Sequence, residues 1–273
     1  MNTFFRLEEN QTTLQTELYA GCTTFMTMAY IIFVQPTVMN ACGMDFGSVM
    51  VATCLASAIG TFVMGFCANY PIALAPAMGH NFYFVYAVCL AMGIPWQIAL
   101  GANFISGILF FVMTLFAFRK RLIEIIPQSM KYAIAGGIGL LIAFIGLQWS
   151  GLIAAHPSTM VTLGNMQSPP VLLSLVGLLV TMILMAYNVK GAFLAGMFIT
   201  AAIGITTGVI EFHGILALPP SLSPTLFKLD IIGALDVDLI SVILILFFLD
   251  LFDTVGSLIG IGEQGGFMRK GSL

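Results

Sequence analysis

Charge is scarce in this sequence of 273 residues, of which only 8% are Asp, Glu, Lys or Arg. Soluble domains carry about 25% charged residues. Hydrophobic residues make up 59% of the chain, and the mean hydropathy is +1.04. This composition excludes an ordinary soluble domain and predicts a protein embedded in a lipid bilayer. The net charge of −3, without any large basic cluster, argues against a nucleic-acid partner.

Cysteine motifs and a signal peptide are absent as well. The five cysteines show no CxxC or Cys/His spacing, so they are predicted to pack as small apolar side chains and to bind no metal or cofactor. The first residues, MNTFFRLEENQTT, have no apolar core. We therefore expect residues 1–13 to form a cytoplasmic N-terminus.

The fold class predicted from the apolar segments is an all-α polytopic membrane protein. A membrane-spanning helix needs about 20 apolar residues, and eight segments of suitable length and composition follow one another. They cover residues 14–35, 48–68, 72–92, 97–117, 130–150, 170–187, 192–210 and 239–262. The longest joint, 211–238, contains prolines and acidic residues and is predicted to lie outside the bilayer.

Orientation follows from the basic residues, which are enriched in cytoplasmic segments. With the N-terminus inside, only Lys228 among the nine Lys and Arg residues falls outside. The loop 211–238 is then extracytoplasmic, and the end of the chain, 263–273, is cytoplasmic. The other basic residues are Arg6, Arg119, Lys120, Arg121, Lys131, Lys190, Arg269 and Lys270.

The third span, NYPIALAPAMGHNFYFVYAVCLAMG, carries two prolines in its first half. Because Pro disrupts helix interiors, Pro71 and Pro76 favour an extended piece followed by a half-helix that begins near Ala77. A proline-kinked packing helix is the plainer alternative. The polar run Gly79-His80-Asn81, followed by aromatic residues, favours a binding site, since broken spans mark such sites in transporters.

The eighth span, ILILFFLDLFDTVGSLIGIG, contains two carboxylates, and one charge at the bilayer centre costs about 2.5–3.5 kcal/mol on insertion scales. Asp250 and Asp253 are one turn apart and share a helix face. Small and polar residues continue that face: Thr254, Gly256, Ser257 and Gly260. The pattern favours ligand binding or proton relay over a carboxylate that only bonds a neighbouring helix.

Two enzyme interpretations of these aspartates fail. An intramembrane aspartyl protease needs its two carboxylates on different helices, whereas Asp250 and Asp253 share one. The string DLFDT also matches a phosphatase nucleophile motif, but that motif requires a soluble α/β domain. The sequence therefore predicts no enzymatic activity.

Four ordered motifs resemble the nucleobase:cation symporter-2 family, and in particular its azaguanine-type hypoxanthine/adenine/guanine permeases. The motifs are TTFMTMAYIIFVQP, ALAPAMGHNFYF, IPQSMKYAIAGGIGLLIAFIGLQ and FFLDLFDTVGSLIG. The resemblance implies a proton-coupled purine transporter of the plasma (inner) membrane, built from two inverted seven-span repeats. Its partners would be a purine nucleobase, a proton and the lipid bilayer, and a homodimer is left open.

The resemblance also implies domains and site residues. Residues 14–210 would form the first repeat, with core spans in 14–117 and gate spans in 130–210, and 239–262 would be the eighth span. A short strand would lie in the broken third span. Asp250 and Asp253 would bind the base and couple it to protons. The third span would contribute Ala77, Met78, Gly79, His80 and Asn81.

The sequence departs from the family pattern in three places. The third-span motif usually reads Gly-Met-Gly-Leu-Asn, so Ala77 and His80 are changes, and Gln35 replaces an Asn before proline. The chain also stops at Leu273, just after the eighth span, so we expect a truncated or N-terminal form. A related anion transporter or channel, and a membrane protein that does not transport, stay open as alternatives.

Overall fold

The computed structural model describes residues 5, 7, 12–115, 128–212, 214, 218–236 and 239–264. Ten α-helices, two π-helical segments and one β-hairpin are assigned in this part of the chain. The α-helices are α1 Leu14–Met28, α2 Ile31–Asn40, α3 Phe46–Val63, α4 Met78–Phe82, α5 Trp96–Leu115, α6 Gln128–Trp149, α7 Pro169–Ala186, α8 Ala192–Thr206, α9 Ile231–Ala234 and α10 Ile240–Gln264.

Within the described residues, five segments are long and apolar enough to cross a membrane. They are Leu14–Asn40, Phe46–Ala68, Trp96–Leu115, Pro169–Ala186 and Ile240–Leu258. Two shorter apolar helices, Gly139–Trp149 and Ala192–Thr206, match the predicted fifth and seventh spans. The mostly helical membrane fold is confirmed, whereas the count of eight spans stays a prediction.

The chain divides into two compact units. The first contains residues 1–34, 50–76 and 145–220. In this unit α7 packs along α8 through small residues. A Cβ on Gly177 would stand 2.7 Å from Thr200 Oγ1, and a Cβ on Gly196 would collide with Thr181. These glycines let the helix backbones approach closely, as small residues do in membrane helix pairs.

A β-hairpin in the first unit was not predicted. Strand β1, Ile153–His156, pairs antiparallel with β2, Met160–Leu163, in a stretch expected to be only a joint. Met160 has a positive φ of 63°, which fits its place at the end of the tight turn between the strands. Each strand has only four residues, IAAH and MVTL, which is too short to give a clear periodic signal in the sequence.

The second unit contains residues 35–49, 77–144 and 221–273. Here α5 packs against both α9 and α10. The backbone N–H of Asp230 donates to Gln97 O at 2.9 Å, and a Cβ on Gly101 would collide with Asp230 O. The α9 segment therefore lies directly on the α5 backbone, and no residue larger than Gly fits at position 101.

One expectation on the early spans needs correction, the short strand in the third span. The first candidate span covers Leu14–Asn40 and consists of α1 and α2, which are separated at Ala29–Tyr30, with Pro36 inside α2. The third span has the predicted break but no strand in the described residues. Residues 69–77 are non-helical and pair with no strand, and Leu74 N–H instead donates to the Thr61 hydroxyl at 3.0 Å.

Most of the basic residues behind the orientation argument lie outside the described residues, so the cytoplasmic N-terminus stays a prediction. The loop 211–238, predicted to be extracytoplasmic, is described in part and contains the short helix α9. At the other end, α10 reaches Gln264, two residues past the predicted end of the eighth span.

Candidate functional site

The third span supplies its polar residues from a helix that begins where the sequence predicted. Asn69, with a φ of 55°, ends the π-helix Met64–Ala68. Pro71 and Pro76 then keep the next residues out of helical conformation. Helix α4 starts at Met78 after an extended Ala77, and it continues as the π-helix Tyr83–Ala91.

The His80 imidazole is held from both sides by other helices of the same unit. Its Nδ1 lies 3.1 Å from Asp250 Oδ1 on α10, within ion-pair distance although outside hydrogen-bond geometry. Its Nε2 is hydrogen-bonded to Asn103 Oδ1 on α5. The His80 side chain is only 8% exposed. Its ring therefore connects the broken third span to both α5 and α10.

The second oxygen of the Asp250 carboxylate is also bonded. Ser106 Oγ on α5 donates to Asp250 Oδ2 at 3.2 Å. Ser106 is fully buried, whereas the Asp250 side chain is 29% exposed. The carboxylate is thus held at both oxygens and still partly open, as a ligand-binding acceptor must be.

Asn81 belongs to a second, buried contact. Its Nδ2 donates to Gln35 Oε1 on α2, and it lies 4.0 Å from Met78 Sδ. Asn81 is 5% exposed and Gln35 is 6% exposed. Two buried amides that pair with each other satisfy groups that would otherwise destabilise the fold.

Asp253 follows Asp250 by one helical turn and is half-buried. It lies within electrostatic range of both His80 and Asp250. The predicted small-residue face continues beyond it with Gly256 and Gly260, and no heavy atom lies within 4 Å of where their Cβ atoms would stand. The cluster of polar groups therefore ends near Asp253, and the rest of the face is open in the described part of the chain.

The structure brings together His80, Asp250 and Asp253 from the predicted residues and places Asn81 against Gln35. Ala77 and Gly79 contribute backbone to the start of α4, and Met78 is buried beside Asn81. Among the expected aromatic residues, Phe82 and Tyr86 stack with ring centroids 6.1 Å apart.

Sequence reasoning missed Asn103 and Ser106. They lie one turn apart in the otherwise apolar stretch GANFISG, a signal of the same kind that drew attention to Asp250 and Asp253. Gln35 had been noticed only as a departure from the family pattern. In the described residues no group of three His, Cys, Asp or Glu side chains has the geometry to hold a metal ion.

A family model described as the permease family matches residues 15–271 of the chain. This chain belongs to the nucleobase:cation symporter-2 family. The prediction made from the four motifs is thereby confirmed. Members of this family are permeases, and the several long apolar helices of this chain fit an integral membrane protein.

Relatives within the nucleobase:cation symporter-2 family are similar over nearly the whole chain. It is 52% identical over 268 residues to a permease-type protein of Methanocaldococcus jannaschii whose name states no substrate, covering 98% of this chain and 62% of that protein. It is 44% identical over 275 residues to the guanine/hypoxanthine permease PbuO of Bacillus subtilis, an alignment that covers 98% of this chain and 64% of PbuO. It is 41% identical over 262 residues to the adenine permease AdeP of Escherichia coli, an alignment that covers 96% of this chain and 59% of AdeP.

The chain spans about three fifths of the length of these curated relatives.

Proposed function

We propose that this protein takes up purine nucleobases across the plasma membrane in symport with protons. The observation that carries the proposal is the buried cluster in which His80 of the broken third span meets Asp250 of α10 at 3.1 Å. Ionisable residues inside a membrane span are rare and mark substrate or proton pathways. The names of the relatives, adenine permease and guanine/hypoxanthine permease, supply the substrate class.

The chemistry of the cluster fits a purine base. Purines present hydrogen-bond donors and acceptors around a flat ring, and a site built to pair with them needs groups of both kinds. Asp250 offers a partly exposed carboxylate acceptor. The bond between Asn81 Nδ2 and Gln35 Oε1 does not use Asn81 Oδ1, an acceptor, or Gln35 Nε2, a donor. The backbone of Ala77 to Gly79 would line the same site from the start of α4.

Proton coupling is proposed from the two carboxylates. A charged carboxylate is stabilised in water far better than at membrane depth, so it tends to take up a proton or to find a partner there. Asp250 has partners on both oxygens, whereas Asp253 is one helical turn away and half-buried. Binding of a base beside Asp250 would change how stable the charged forms of Asp250 and Asp253 are. Base binding and proton binding would then affect each other, which is the thermodynamic requirement for coupled transport.

The same proposal extends to the arrangement of the whole transporter. The N-terminus would be cytoplasmic, with core spans in 14–117, gate spans in 130–210 and the eighth span at 239–262. These would belong to an inverted-repeat transporter in which the core carries the site.

Uptake of labelled adenine, hypoxanthine and guanine by bacteria that lack their own purine permeases tests this function. We expect saturable uptake of at least one purine, which an uncoupler abolishes. Asp250→Asn should lower uptake by at least about tenfold, because a hydrogen bond to a charged group contributes about 1.5–3 kcal/mol. Asp253→Asn should lower accumulation.

Asp236→Asn is the matched control, since Asp236 is exposed and precedes α10. All variants must first be shown to reach the membrane in equal amounts. Normal uptake by both site variants would rule out the proposed mechanism. Uptake of inorganic anions, with no purine uptake, would support the related anion transporter instead.

A further inference from the structure

We propose that His80 and Asp250 hold the coupling proton between them, and that Asn103 keeps it there by fixing the tautomer of His80. The inference rests on the proposed purine–proton symport and names the group that holds the proton. In this arrangement the proton is shared by His80 of the third span and Asp250 of α10, and is not held by the aspartates alone.

On the far side of the imidazole ring, Nε2 is hydrogen-bonded to Asn103. The Oδ1 atom of Asn103 is an acceptor only, so the hydrogen in its bond with His80 must sit on Nε2. A neutral imidazole carries one hydrogen. With that hydrogen on Nε2, the Nδ1 atom of a neutral His80 presents a lone pair.

On the near side of the imidazole ring, Nδ1 faces Asp250. Nδ1 lies 3.1 Å from Asp250 Oδ1, and the imidazole is nearly fully buried. A lone pair facing an ionised carboxylate at that distance would be repulsive, with little water to screen it. The contact is attractive only when one more proton lies there, either on Nδ1 or on Oδ1.

The surroundings of the pair confine the proton to it. Ser106 donates to Asp250 Oδ2 at 3.2 Å, which leaves Oδ1 as the oxygen that faces the ring. The neighbouring helices α2 and α5 contain no Asp, Glu, His, Lys, Arg, Cys or Tyr residue. The remaining titratable residues on the adjoining elements are Asp253 and Glu263 on α10, and Tyr83, Tyr86 and Cys89 on the π-helix that follows α4.

The first experiment uses the protein reconstituted in liposomes with an acidic exterior and labelled purine outside. Wild-type protein should concentrate the purine inside. His80→Gln, whose amide cannot titrate near neutral pH, should fill the liposomes only until the two concentrations are equal. The final purine concentration inside the liposomes is an equilibrium property. A variant that only transports more slowly therefore reaches the same plateau later.

His156→Gln is the control for this experiment, because His156 is exposed in the β-hairpin. It should accumulate purine to the wild-type plateau. The proposal is overturned if His80→Gln also reaches that plateau. If the wild-type protein moves no purine, the proposed function fails, and the remaining measurements decide the inference separately.

The second experiment tests the role of Asn103. Asn103→Leu lets a neutral ring carry its hydrogen on Nδ1 and donate it to ionised Asp250, so no further proton is needed. The pH dependence of accumulation should then move to lower pH. Asn103→Asp places a negative acceptor at Nε2, favours the protonated ring, and should move the profile to higher pH by about one unit or more.

Either shift is interpretable only in folded protein, so melting temperatures are measured on each variant. An unchanged profile in Asn103→Asp would overturn the role of Asn103 even if Asn103→Leu fails to fold.

The third readout needs no transport. In protein labelled with ¹⁵N-histidine, His80 is assigned by its loss in His80→Gln. We expect its Nε2 to carry hydrogen at every pH where the protein is folded. A His80 ring with hydrogen on Nδ1 and a bare Nε2 would overturn the proposal.

Discussion

In the α7–α8 helix pair, hydroxyl groups donate to carbonyls of their own helix, whereas in the cluster of α4, α5 and α10 polar side chains bond between helices. Thr181 donates to Gly177 O at 2.9 Å, and Thr200 donates to Gly196 O at 2.7 Å. The bond from Ser106 to Asp250, by contrast, joins residues 144 positions apart.

This difference separates two uses of polar residues in an apolar chain. A hydroxyl that bonds its own backbone is already satisfied, so it can pack at a tight helix interface without a partner. A carboxylate, imidazole or amide has no such local solution and must find its partner on another helix. The first kind therefore indicates packing, and the second kind indicates a site.

The largest expected effect would break the α7–α8 pair. Gly196→Leu puts a side chain where even a Cβ would collide with Thr181, so the helices must separate or shift. Overpacking of this kind costs about 1–3 kcal/mol, and sometimes more. We expect a clearly lower melting temperature in detergent.

Gly107→Leu in α5 is the matched control, since among the described residues no atom beyond its chain neighbours and its own helix backbone lies within 4 Å of its Cβ position. Its melting temperature should stay the same or rise, because Gly is a poor helix former. Equal losses in both variants would show that helix propensity, and not close packing, governs the first result.

The second effect concerns the buried amide pair. Asn81→Leu leaves the Gln35 side chain buried without its partner, and Gln35→Leu does the same to Asn81. Each change should destabilise the protein by about 1–3 kcal/mol. Thermal melts of the two single variants and the double variant measure the coupling between them.

The double variant Gln35→Leu/Asn81→Leu should lose less stability than the sum of the single losses, since it leaves no amide unpaired. Additive losses would show that the two amides do not depend on each other. Purine uptake should be low in all three variants if Asn81 binds the base.

The smallest effect compares two serines directly. Ser106→Ala removes a donor to the Asp250 carboxylate, whereas Ser174→Ala removes a hydroxyl that bonds Pro170 O in its own helix. We expect Ser106→Ala to lower purine uptake roughly threefold to tenfold, because water can reach the partly exposed carboxylate and replace some of the lost bond. Ser174→Ala should leave uptake at the wild-type rate.

Stability should change by less than about 0.5 kcal/mol in Ser174→Ala. If the two serine variants transport alike, the distinction between local and long-range hydrogen bonds has no functional meaning in this protein.

The predictable part of the fold was the part that depends on local sequence. Long apolar segments identified five helices of spanning length, and two prolines located the break before Met78. The break at Ala29–Tyr30 was missed because the hydropathy is continuous across it. The hairpin 153–163 was missed because four-residue strands give little periodic signal.

At the site, each polar residue inside a span was visible in the sequence, but the pairing was not. Asp250 and Asp253 stood out because a charge in a span is expensive. Asn103 and Ser106 are uncharged and less costly to bury, and so they drew no attention.

The sequence by itself determined the membrane environment, the break in the third span and the family. Each of these follows from composition, from proline or from an ordered set of motifs, all of which are properties of neighbouring residues. Only the tertiary structure decided that His80 contacts Asp250 and Asn103, and that Asn81 pairs with Gln35. These contacts join distant parts of the chain, and their partners are selected by how the helices pack, since buried polar groups must bond whichever groups the packing brings within reach.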